Sequence, residues 1–556
     1  MKSPFLCCFL LLAALMPDAK AGDKNPVRIF IFAGQSNMEG ADSKVQDIQR
    51  FPPFRGLEDP QEDVQFSYCI GRDNKERSDG WVPLQSVRNM VGPELSFARK
   101  VQQRSNGPIA IIKVAAGGTH LGGDWNPDEP SGFKMYPLAL EVIRSSLAEF
   151  DKQGIKYRIE GFMWHQGEND MFNAEYQKNY GANLKNFLAC WRRDLKTPKL
   201  RFYIGELCTK TIWGMDLRPR MYAISQGQRA VTEADPLATY VRTSHVGVEI
   251  GNPVGLHYHY GTLGQLEHGE NHADAYLANY DNGLPPSLTD EEYQHRMELA
   301  QARTGWDFDK IKLFVLAGHR NMEGERAFVQ DLKGTPHEAL LKMQASVPFR
   351  YSIGGGAKKS AWIPLHPHGY YDTFGPELSF GRTLRQKLDG NIAIAKFTHS
   401  GSQMNDWTPE GSMAKSRHIY PAFIRFIKDS VDQLEQNGTK VELAGIFYHV
   451  GENEMSMPPY RKQAAQWLKS TIDQSRKDLN RPKLKWFVSQ QPPTDHKNVN
   501  TIDVVADIAK LTEADPHTTQ IKVFDLPKQE KRLVIDTNGI VWLGERLARE
   551  YVDYSR

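Results

Sequence analysis

The chain has 556 residues, more than one hydrophobic core usually organises, so we expect at least two domains. Hydrophobic residues make up 40% of the chain and charged residues 24%, a balance typical of folded proteins and not of disordered ones. The 69 basic and 67 acidic residues leave a formal net charge of +2, which does not support binding to nucleic acid or anionic lipid.

Residues 1–21 have the pattern of a secretory signal peptide. Lys2 precedes an apolar run from Phe5 to Met16, and alanines follow at positions 19 and 21 in the arrangement typical of a cleavage site. A membrane anchor is the alternative, but crossing the hydrocarbon core takes about 20 apolar residues and this run is shorter. We therefore expect a secreted or periplasmic mature protein with no membrane span.

Three cysteines remain after the leader: Cys69, Cys190 and Cys208. An odd number allows at most one intramolecular disulfide, and domains that depend on disulfides carry many more cysteines in a shorter chain. We therefore expect buried free thiols.

Beyond the leader, the chain repeats itself once. VRIFIFAGQSNMEG begins at Val27 and returns as IKLFVLAGHRNMEG at Ile311, and four further blocks recur in the same order. Collinear blocks at a nearly constant offset indicate a duplicated domain rather than a solenoid of short repeats. We predict domains at residues 22–305 and 306–556, with the boundary near Trp306. The further pairs are VGPELSFARKVQQ and FGPELSFGRTLRQ, IAIIKVAAGGTHL and IAIAKFTHSGSQM, GFMWHQGEND and GIFYHVGENE, and GQLEHGENHADAYL and GIVWLGERLAREYV.

Within each copy, short β-branched or aromatic runs alternate with longer helical segments. Ile29–Phe32 and Ile109–Val114 are two such runs that lead into glycine-rich turns, and Pro93–Gln103 is a helical segment between them. This alternation is typical of a parallel sheet covered by helices on both faces. Both domains are therefore predicted to be α/β.

Ser36 follows the first apolar run, in the loop GQSNMEG. Ligands of parallel α/β sheets bind at the carboxyl ends of strands, so we expect the Ser36 hydroxyl at a crevice and its backbone N–H facing an oxyanion. A serine in such a loop is also typical of a plain turn or a helix cap. The loop alone does not distinguish the two interpretations.

Three later loops supply further groups at strand ends. A Gly-Gly pair lets a backbone amide approach a ligand closely, or forms only a tight turn. The amide and carboxylate of WHQGEND can serve as oxyanion donor and charge partner, or bond only their own turn. A serine hydroxyl needs an imidazole to accept its proton, and LHYHYGTLGQL contains two. The residues concerned are Gly117, Gly118, His165, Gln166, Glu168, His257 and His259.

Together these loops resemble the SGNH-hydrolase superfamily and, within it, the sialate O-acetylesterase and acetyl xylan esterase group, carbohydrate esterase family six. The resemblance rests on GQSNMEG, the Gly-Gly-Thr loop, HQGE and the late His-Tyr-x-Thr-x-Gly-Gln pattern, and it covers residues 27–280 closely and 309–552 more weakly. It implies a flavodoxin-like, three-layer α/β/α fold with a parallel central sheet in each domain. It also implies an acetylated carbohydrate substrate, with no metal and no organic cofactor.

The resemblance assigns roles to particular residues. Ser36 is its nucleophile, and His259 is its general base because the family pattern continues directly after this residue. The oxyanion hole of the family corresponds to the Ser36 amide, Gly117 or Gly118, and Gln166. A Ser-His-acid acyl-enzyme mechanism follows from these roles.

One departure concerns the acid. The family has an aspartate three residues before the histidine, and this chain has Leu256 there. Glu168 matches a residue proposed as the acidic partner in this group, so we expect Glu168 to orient His259. The competing interpretation is that Glu168 only fixes its own loop while His259 works with a backbone carbonyl or water.

The second copy departs further from the pattern. Arg320 stands at the nucleophile position, Val450 at the glutamine position and Val534 at the base position. Arginine cannot lose a proton at ordinary pH, and valine has none to exchange. We therefore predict that the second domain is a pseudoenzyme domain, kept for packing, for supporting loops of the first domain or for binding a glycan. Four paired tryptophans either stack sugar rings or pack in the core: Trp81, Trp125, Trp362 and Trp407.

The leading functional hypothesis is therefore a secreted carbohydrate O-acetylesterase. The alternatives are a glycan-binding or scaffolding pseudoenzyme, whose triad Leu256 breaks, and a lipase or thioesterase of the wider superfamily. A metal site is disfavoured, because HGENH differs from the zincin order H-E-x-x-H. The histidines that raise this question are His257, His259, His268 and His272.

Overall fold

A computed structural model describes most of the chain after residue 24. At residues 211–212, 215–216, 218–219, 458–459, 502–503 and 522 only the backbone is described. The predicted leader, Leu256, His257 and Cys208 lie outside the described residues. The described ranges are 25–73, 75–105, 107–207, 211–212, 215–216, 218–243, 259–280, 295, 297–299, 301–302, 306–356, 358–369, 372–413, 417–436, 438–451, 458–490, 502–523 and 534–555.

Apart from the small β8–β9 hairpin of the first copy, the described strands of the two copies correspond. Those of the first copy are β1 Val27–Gly34, β2 Gln61–Ile70, β3 Glu76–Arg77, β4 Val82–Leu84, β5 Ile109–Ala115, β6 Tyr157–His165, β7 Phe202–Gly205, β8 Thr211–Ile212, β9 Met215–Asp216 and β10 Ala238–Val241. Those of the second copy are β11 Lys310–Gly318, β12 Gln344–Ile353, β13 Lys358–Lys359, β14 Ile363–Leu365, β15 Asn391–Thr398, β16 Lys440–His449, β17 Trp486–Gln490 and β18 Thr518–Lys522.

The helices also recur in order. The first copy has α1 Ser36–Glu39, α2 Glu94–Arg104, α3 Met135–Lys152, α4 Ala174–Asp194, α5 Arg218–Ala234 and α6 Gly261–Asn279. The second has α7 Arg320–Glu323, α8 Glu377–Lys387, α9 Tyr420–Glu435, α10 Pro458–Arg461, α11 Ala464–Asp478, α12 Ile502–Ala514 and α13 Thr537–Ser555. Short 3-10 helices lie at Val45–Arg50, Pro52–Phe54, Asp170–Phe172, Val329–Leu332, Glu338–Leu341, Gly354–Gly356 and Met404–Trp407. In the described part of the chain, none of the helices combines the length and apolar character that a membrane crossing requires.

Each domain is built on its own sheet, which confirms the predicted tandem α/β architecture. The first sheet has the order β10-β7-β6-β1-β5-β2-β3, with β4 also paired to β2, and the second has the order β13-β12-β15-β11-β16-β17-β18, with β14 paired to β12. The central strands are parallel, but β3, β4, β13 and β14 pair antiparallel. The predicted parallel central sheet is therefore confirmed in both domains, and short antiparallel hairpin returns extend each sheet at one edge.

Strand periodicity places a core on both faces of each sheet. Along β1, Ile29 and Ile31 enter one cluster of buried side chains with α3, α4 and α5, whereas Phe30 and Phe32 enter another with α2 and α6. Successive strand residues point to opposite faces, so a strand that is apolar at every position must be covered twice. The same division occurs around β11. Both domains are three-layer structures.

The described cysteines match the expectation of free thiols. Cys69 lies in β2 and Cys190 in α4, and both are buried and unpaired.

A buried ion pair lies beneath the turn that follows the first strand of each domain, β1 or β11. Lys113 Nζ lies 2.8 Å from both carboxylate oxygens of Glu94 and 3.3 Å from the backbone oxygen of Glu39, and both charged side chains are 1% exposed. In the second domain, Lys396 makes the corresponding contacts with Glu377 at 2.8 Å and with the backbone oxygen of Glu323 at 3.0 Å. The lysine thus ties the short helix after the first strand to the next helix.

We predict that Lys113→Met lowers the free energy of unfolding of the first domain by about 3–5 kcal/mol, because it leaves the Glu94 carboxylate buried without its counterion. Lys113→Met combined with Glu94→Leu should recover most of this loss. Urea unfolding followed by circular dichroism measures both variants, with Lys185→Met as a control at an exposed position of α4. If Lys113→Met unfolds at the same urea concentration as the control, the pair does not hold the domain together.

Candidate functional site

A cleft of about 430 Å³ opens at the carboxyl edge of the first sheet. Ser36 follows β1, Arg72 follows β2, Gly117 and Gly118 follow β5, Asn169 follows β6, and His259 comes just before α6; all of them line this cleft. Four strand ends and one late loop thus converge, as expected for a parallel sheet. The structure brings Ser36, the glycine pair and His259 together from distant parts of the sequence.

Ser36 is held by close packing of the loops on either side. A side chain at Gly34 would place its Cβ 2.0 Å from the backbone oxygen of His165, so the turn from β1 into α1 needs glycine there. A Cβ at Gly117 would lie 3.4 Å from the Cβ of Ser36. The Ser36 side chain, in a residue 7% exposed, therefore sits between backbone segments at the floor of the cleft.

His259 is bound by an aspartate from the loop that follows α1. Its Nδ1 lies 2.6 Å from Asp42 Oδ2. The hydrogen bond with His259 lowers the pKa of Asp42 below its ordinary value, so this carboxyl is ionised at neutral pH. Asp42 has a φ of +61°, a left-handed conformation that aspartate tolerates better than most residues. The backbone there turns the carboxylate back towards the cleft.

Glu168 lies elsewhere, and the expected contact with His259 is corrected. Its Oε1 accepts a hydrogen bond of 2.6 Å from Asn37 Nδ2 and lies 3.7 Å from His165 Nε2. Burial acts to raise the pKa of Glu168, but the interactions with His165 and Asn37 outweigh it and the pKa falls. Glu168 is a buried carboxylate behind the cleft, and within the described residues the acid bonded to His259 is Asp42.

Asn37 connects the serine turn to the histidine loop. While its Nδ2 donates to Glu168, its Oδ1 accepts a hydrogen bond of 3.1 Å from the backbone N–H of Tyr260. Tyr260 is the residue after His259, so Asn37 links Glu168 to the histidine loop. Neither of the two interpretations from the sequence described this indirect link.

Gln166 does not face the cleft. Its side chain is completely buried, and its Nε2 lies within hydrogen-bonding distance of Gln35 Oε1 at 3.1 Å, Thr119 O at 3.0 Å and Asp170 Oδ2 at 2.6 Å. The predicted oxyanion role of Gln166 is corrected for this reason, since its amide already holds three loops together.

In the Gly117–Gly118 loop, the backbone amide of Gly117 already has a hydrogen-bond acceptor. The backbone N–H of Gly117 donates to Glu39 Oε2 at 3.0 Å, so this amide is already used. The expectation for Gly117 as an oxyanion donor is corrected, and Gly118 remains as the candidate from this loop. Burial raises the pKa of Glu39, although the Gly117 amide and the nearby cations Lys113 and Arg88 oppose that rise.

Asn169 is a cleft residue that the sequence reasoning missed. Its Nδ2 lies 3.8 Å from the position that a Cβ would take at Gly118, and its Oδ1 accepts from Gln35 Nε2 at 3.4 Å. The side-chain amide is therefore turned with its N–H groups towards the glycine loop. The signal was present as the next residue in HQGEND, but a linear pattern does not show which of two amides points outward.

The second domain keeps the frame of this site and changes its reactive positions. Asn321 Oδ1 accepts from the backbone N–H of Ile535 at 2.8 Å, which repeats the bond between Asn37 and Tyr260. Val534 therefore stands at the position of His259. Arg320, at the position of Ser36, is 1% exposed and pairs with Glu325 at 3.2 Å.

The paired tryptophans pack in the cores. Trp125 and Trp407 are completely buried, and their Nε1 atoms donate to Thr119 and Ser402 at 3.0 and 2.8 Å. Trp362 is 8% exposed, and Trp81 stacks on a phenylalanine ring with centroids 4.4 Å apart. The packing interpretation is confirmed over sugar stacking.

Three further histidines of the first domain, His165, His268 and His272, are buried behind the cleft. His268 Nε2 lies 3.0 Å from His272 Nε2, and burial lowers the pKa of both, that of His272 to about 3. His165 Nε2 lies 3.1 Å from the hydroxyl of Tyr260. These rings pack under the loop that carries His259.

Comparison with known proteins supports the same family in both halves. The model of the family described as carbohydrate esterase, sialic acid-specific acetylesterase, matches residues 26–278 and 310–553. A protein of Arabidopsis thaliana named "Probable carbohydrate esterase" is 24% identical over 277 residues, which cover 46% of this chain and 92% of the relative.

Solved structures with similarity include the Arabidopsis thaliana protein, with a TM-score of 0.35, 21% identity and coverage of 46% of this chain and 99% of that chain. NanS gives a TM-score of 0.36 and 14% identity, with 46% and 98% covered. A carbohydrate acetylesterase from Xanthomonas citri gives 0.34 and 15%, with 44% and 57% covered. Since the family model matches both halves of the duplicated fold, the chain belongs to the carbohydrate esterase family of sialic acid-specific acetylesterases.

Proposed function

We propose that the first domain is a serine O-acetylesterase that removes acetyl groups from a carbohydrate. The observation that carries this proposal is the arrangement of Ser36 and His259 on one cleft, with Asp42 bound to the far nitrogen of the imidazole. A hydroxyl becomes a useful nucleophile when an oriented imidazole accepts its proton. These three side chains provide a nucleophile, a base and an orienting acid.

In the proposed reaction, Ser36 Oγ attacks the acetyl carbonyl carbon while His259 takes the hydroxyl proton. Because Nδ1 faces Asp42, proton transfer is assigned to Nε2. The tetrahedral intermediate collapses when the C–O bond to the sugar breaks, and His259 returns the proton to the departing sugar oxygen. Water then attacks the acetyl-serine, again with His259 as base, and acetate is released. Asp42 stays ionised and stabilises the imidazolium in both steps.

The negative oxygen of the intermediate needs hydrogen-bond donors that are already in place. The backbone amides of Ser36 and Gly118 and the side-chain amide of Asn169 are the donors in this proposal, since all three residues line the cleft. Gly117 and Gln166 support them from behind through Glu39 and Asp170.

In this proposal Asp42 supplies the orienting acid that Leu256, at the usual aspartate position, cannot provide. A catalytic imidazole needs a neighbour that fixes its tautomer, but the neighbour does not have to come from the same loop. In the first domain it comes from the loop after α1, six residues beyond Ser36. An active enzyme is therefore favoured over a pseudoenzyme for this half of the chain.

We predict that Ser36→Ala in the full chain reduces turnover of p-nitrophenyl acetate by about 10⁴-fold or more, because no other group can form the acyl-enzyme. Ser145→Ala, at an exposed position of α3, serves as the control and should retain wild-type turnover. Arg320→Ser added to Ser36→Ala should restore nothing, since Val534 offers no base. Appreciable turnover by either Ser36 variant would assign activity to the second domain and contradict the proposal.

We predict that Asp42→Asn lowers kcat/KM by about 10²- to 10⁴-fold, because the amide no longer stabilises the imidazolium. Glu168→Gln should stay within about tenfold of wild type, since its Oε1 can still accept from Asn37, but it should lower the melting temperature. Steady-state kinetics and thermal unfolding separate these effects.

Asp73→Asn is the matched control for Asp42→Asn, because Asp73 lines the same cleft and carries the same charge. Equal losses at positions 42 and 73 would show that only the net charge of the cleft matters. A loss of about 10⁴-fold in Glu168→Gln with a small effect of Asp42→Asn would return the acid role to Glu168.

For the substrate, we favour an acidic sugar of the sialate type over neutral acetylated xylan. Arg72 lies exposed on the rim of the cleft, with its guanidinium carbon 5.1 Å from the centroid of the Phe133 ring, and it forms no salt bridge with any residue that the structure describes. The nearby Arg88 instead interacts with Glu39 and Glu76 at 3.7 and 3.3 Å. An uncommitted guanidinium on the rim suits a carboxylate.

We predict that Arg72→Gln raises the KM for an O-acetylated sialic acid by about 10- to 100-fold, the effect of losing one charge-assisted hydrogen bond. Turnover of p-nitrophenyl acetate, which has no carboxylate, should change little. Parallel kinetics on both esters and on acetylated xylo-oligosaccharides provide the measurement. A wild-type preference for the neutral oligosaccharide, or an equal effect of Arg72→Gln on both esters, would contradict an acidic substrate.

A further inference from the structure

A second cavity, of about 390 Å³, lies between the two domains. On the second domain it is bordered by Gly354 after β12 and His399 after β15, the counterparts of Gly71 and Ala116 beside the cleft of the first domain. On the first domain it is bordered by side chains of α5, including Tyr222. The cavity thus borders the edge of the sheet at which the second domain would have its own cleft, with the first domain as its outer wall.

Cations from both domains converge on this cavity. Arg229 and Arg242 come from the first domain and Arg417 from the second. Arg417 is 4% exposed, its Nη1 donates to the backbone oxygen of Gly401 at 3.3 Å, and its Nη2 lies 4.0 Å from the sulfur of Met221 across the domain boundary. The guanidinium is therefore held at the junction by contacts on both sides.

The negative charge beside these arginines is smaller. Among the described residues that line the cavity, Glu206 is the one acid. Its Oε1 lies 3.5 Å from Arg229, and its Oε2 accepts from the backbone N–H of Thr243 at 3.1 Å. Three arginines against one glutamate give the described part of the lining a surplus of two positive charges in a partly enclosed space. Such a space concentrates positive potential and attracts an anion.

The two copies carry an arginine at different members of one pair of corresponding positions. The first domain has Arg72 against Phe133, whereas the second has Gly355 and Arg417 at the corresponding places. A Cβ at Gly355 would lie 2.6 Å from the His399 ring, so the missing side chain leaves room for that ring. The second domain thus carries its guanidinium on the opposite loop.

The walls also include apolar surface and an unused polar atom. Tyr222, Phe397 and Ile419 contribute rings and aliphatic carbon. His418, another lining residue, has a buried Nε2 without a hydrogen-bond partner among the residues that the structure describes. The cavity volume of about 390 Å³ is more than ten times the volume of one water in the liquid, about 30 Å³. The cavity therefore has room for a ligand larger than a bare inorganic anion. Aromatic walls, hydrogen-bonding groups and clustered guanidinium groups together fit a sugar ring that carries an acid group.

We propose that the interdomain cavity binds a monosaccharide-sized ligand bearing a carboxylate or sulfate, at a site separate from the esterase cleft. The arginines hold the oxyanion, and the sugar ring packs against the aromatic wall. Because side chains of both domains form the site, a bound ligand also ties the two domains together. The site does not depend on the esterase activity proposed for the first domain.

Isothermal titration of the full chain with glucuronic acid, glucose and inorganic sulfate tests the proposal. An Arg72→Gln background removes the cleft as a competing anion site. We expect one glucuronic acid per chain, undetectable binding of glucose, and sulfate bound at least about tenfold more weakly than glucuronic acid. Equal affinity for glucose would overturn the charge argument, and equal affinity for sulfate would reduce the site to a simple anion site and overturn the saccharide proposal.

Variants locate the binding. Arg229→Gln and Arg242→Gln, each added to the Arg72→Gln background, should weaken glucuronic acid binding by about tenfold or more, whereas Arg220→Gln, at an exposed position of α5 that does not line the cavity, should not. Arg242 is exposed, so its substitution leaves the fold intact and keeps the test decisive even if another variant unfolds. Unchanged affinity in both lining variants, or equal losses in the Arg220 control, would overturn the assignment to this cavity.

Discussion

The site depends on one side-chain amide, that of Asn37. Its Nδ2 is fixed by the buried Glu168 carboxylate, and its Oδ1 holds the backbone of Tyr260, which is 223 residues away in sequence. Together with the bond between Asp42 and His259, this bridge fixes the distance of the loop with His259 from the serine turn. Both bonds are buried, so each polar group would pay a large desolvation cost if it were left unpaired. This cost makes the bridge a strong constraint on the relative position of Ser36 and His259.

The duplication separates the frame of the site from its chemistry. Both copies keep the buried lysine–glutamate pair and the asparagine bond to the late loop, and both bury a tryptophan against a hydroxyl. In the second copy, the counterparts of Asp42 and His259 are Arg326 and Val534, so neither member of the bonded pair is present there. The residues that hold the fold are present in both copies. A bonded ionisable pair, in contrast, no longer functions when either member is replaced.

The domain boundary gives the second copy a structural use. Phe328 of the second domain enters the core cluster on one face of the first sheet, and its ring lies 6.2 Å from that of Phe51. The guanidinium of Arg326 lies over the same ring at 5.4 Å. The residue that replaced the aspartate of the proposed triad thus contributes to docking of the two halves. The loop after α7 thus lacks the orienting acid and instead contributes to the contact between the two domains.

Much of this protein follows from the sequence by itself. The repeat, the α/β pattern and the glycine-flanked loops after apolar runs predicted two domains, their layers and the convergence of Ser36, the Gly117–Gly118 pair and a late histidine at one sheet edge. These follow from periodicity and from the rule that ligands bind at the carboxyl ends of parallel strands. Antiparallel edge strands escaped prediction because hairpin returns of two or three residues carry no periodicity.

Only the tertiary structure decided which side chains of each loop face the cleft. Gln166 and Asn169, and likewise Glu168 and Asp42, are of similar chemical type and lie in loops that reach the same edge, so sequence position does not rank them. The backbone path and the partners already bound decide: Gln166 is used by three loops, Glu168 by Asn37, and the left-handed turn at Asp42 brings its carboxylate to His259. Hydrogen-bond satisfaction in a buried frame is a property of the whole fold and not of a local pattern.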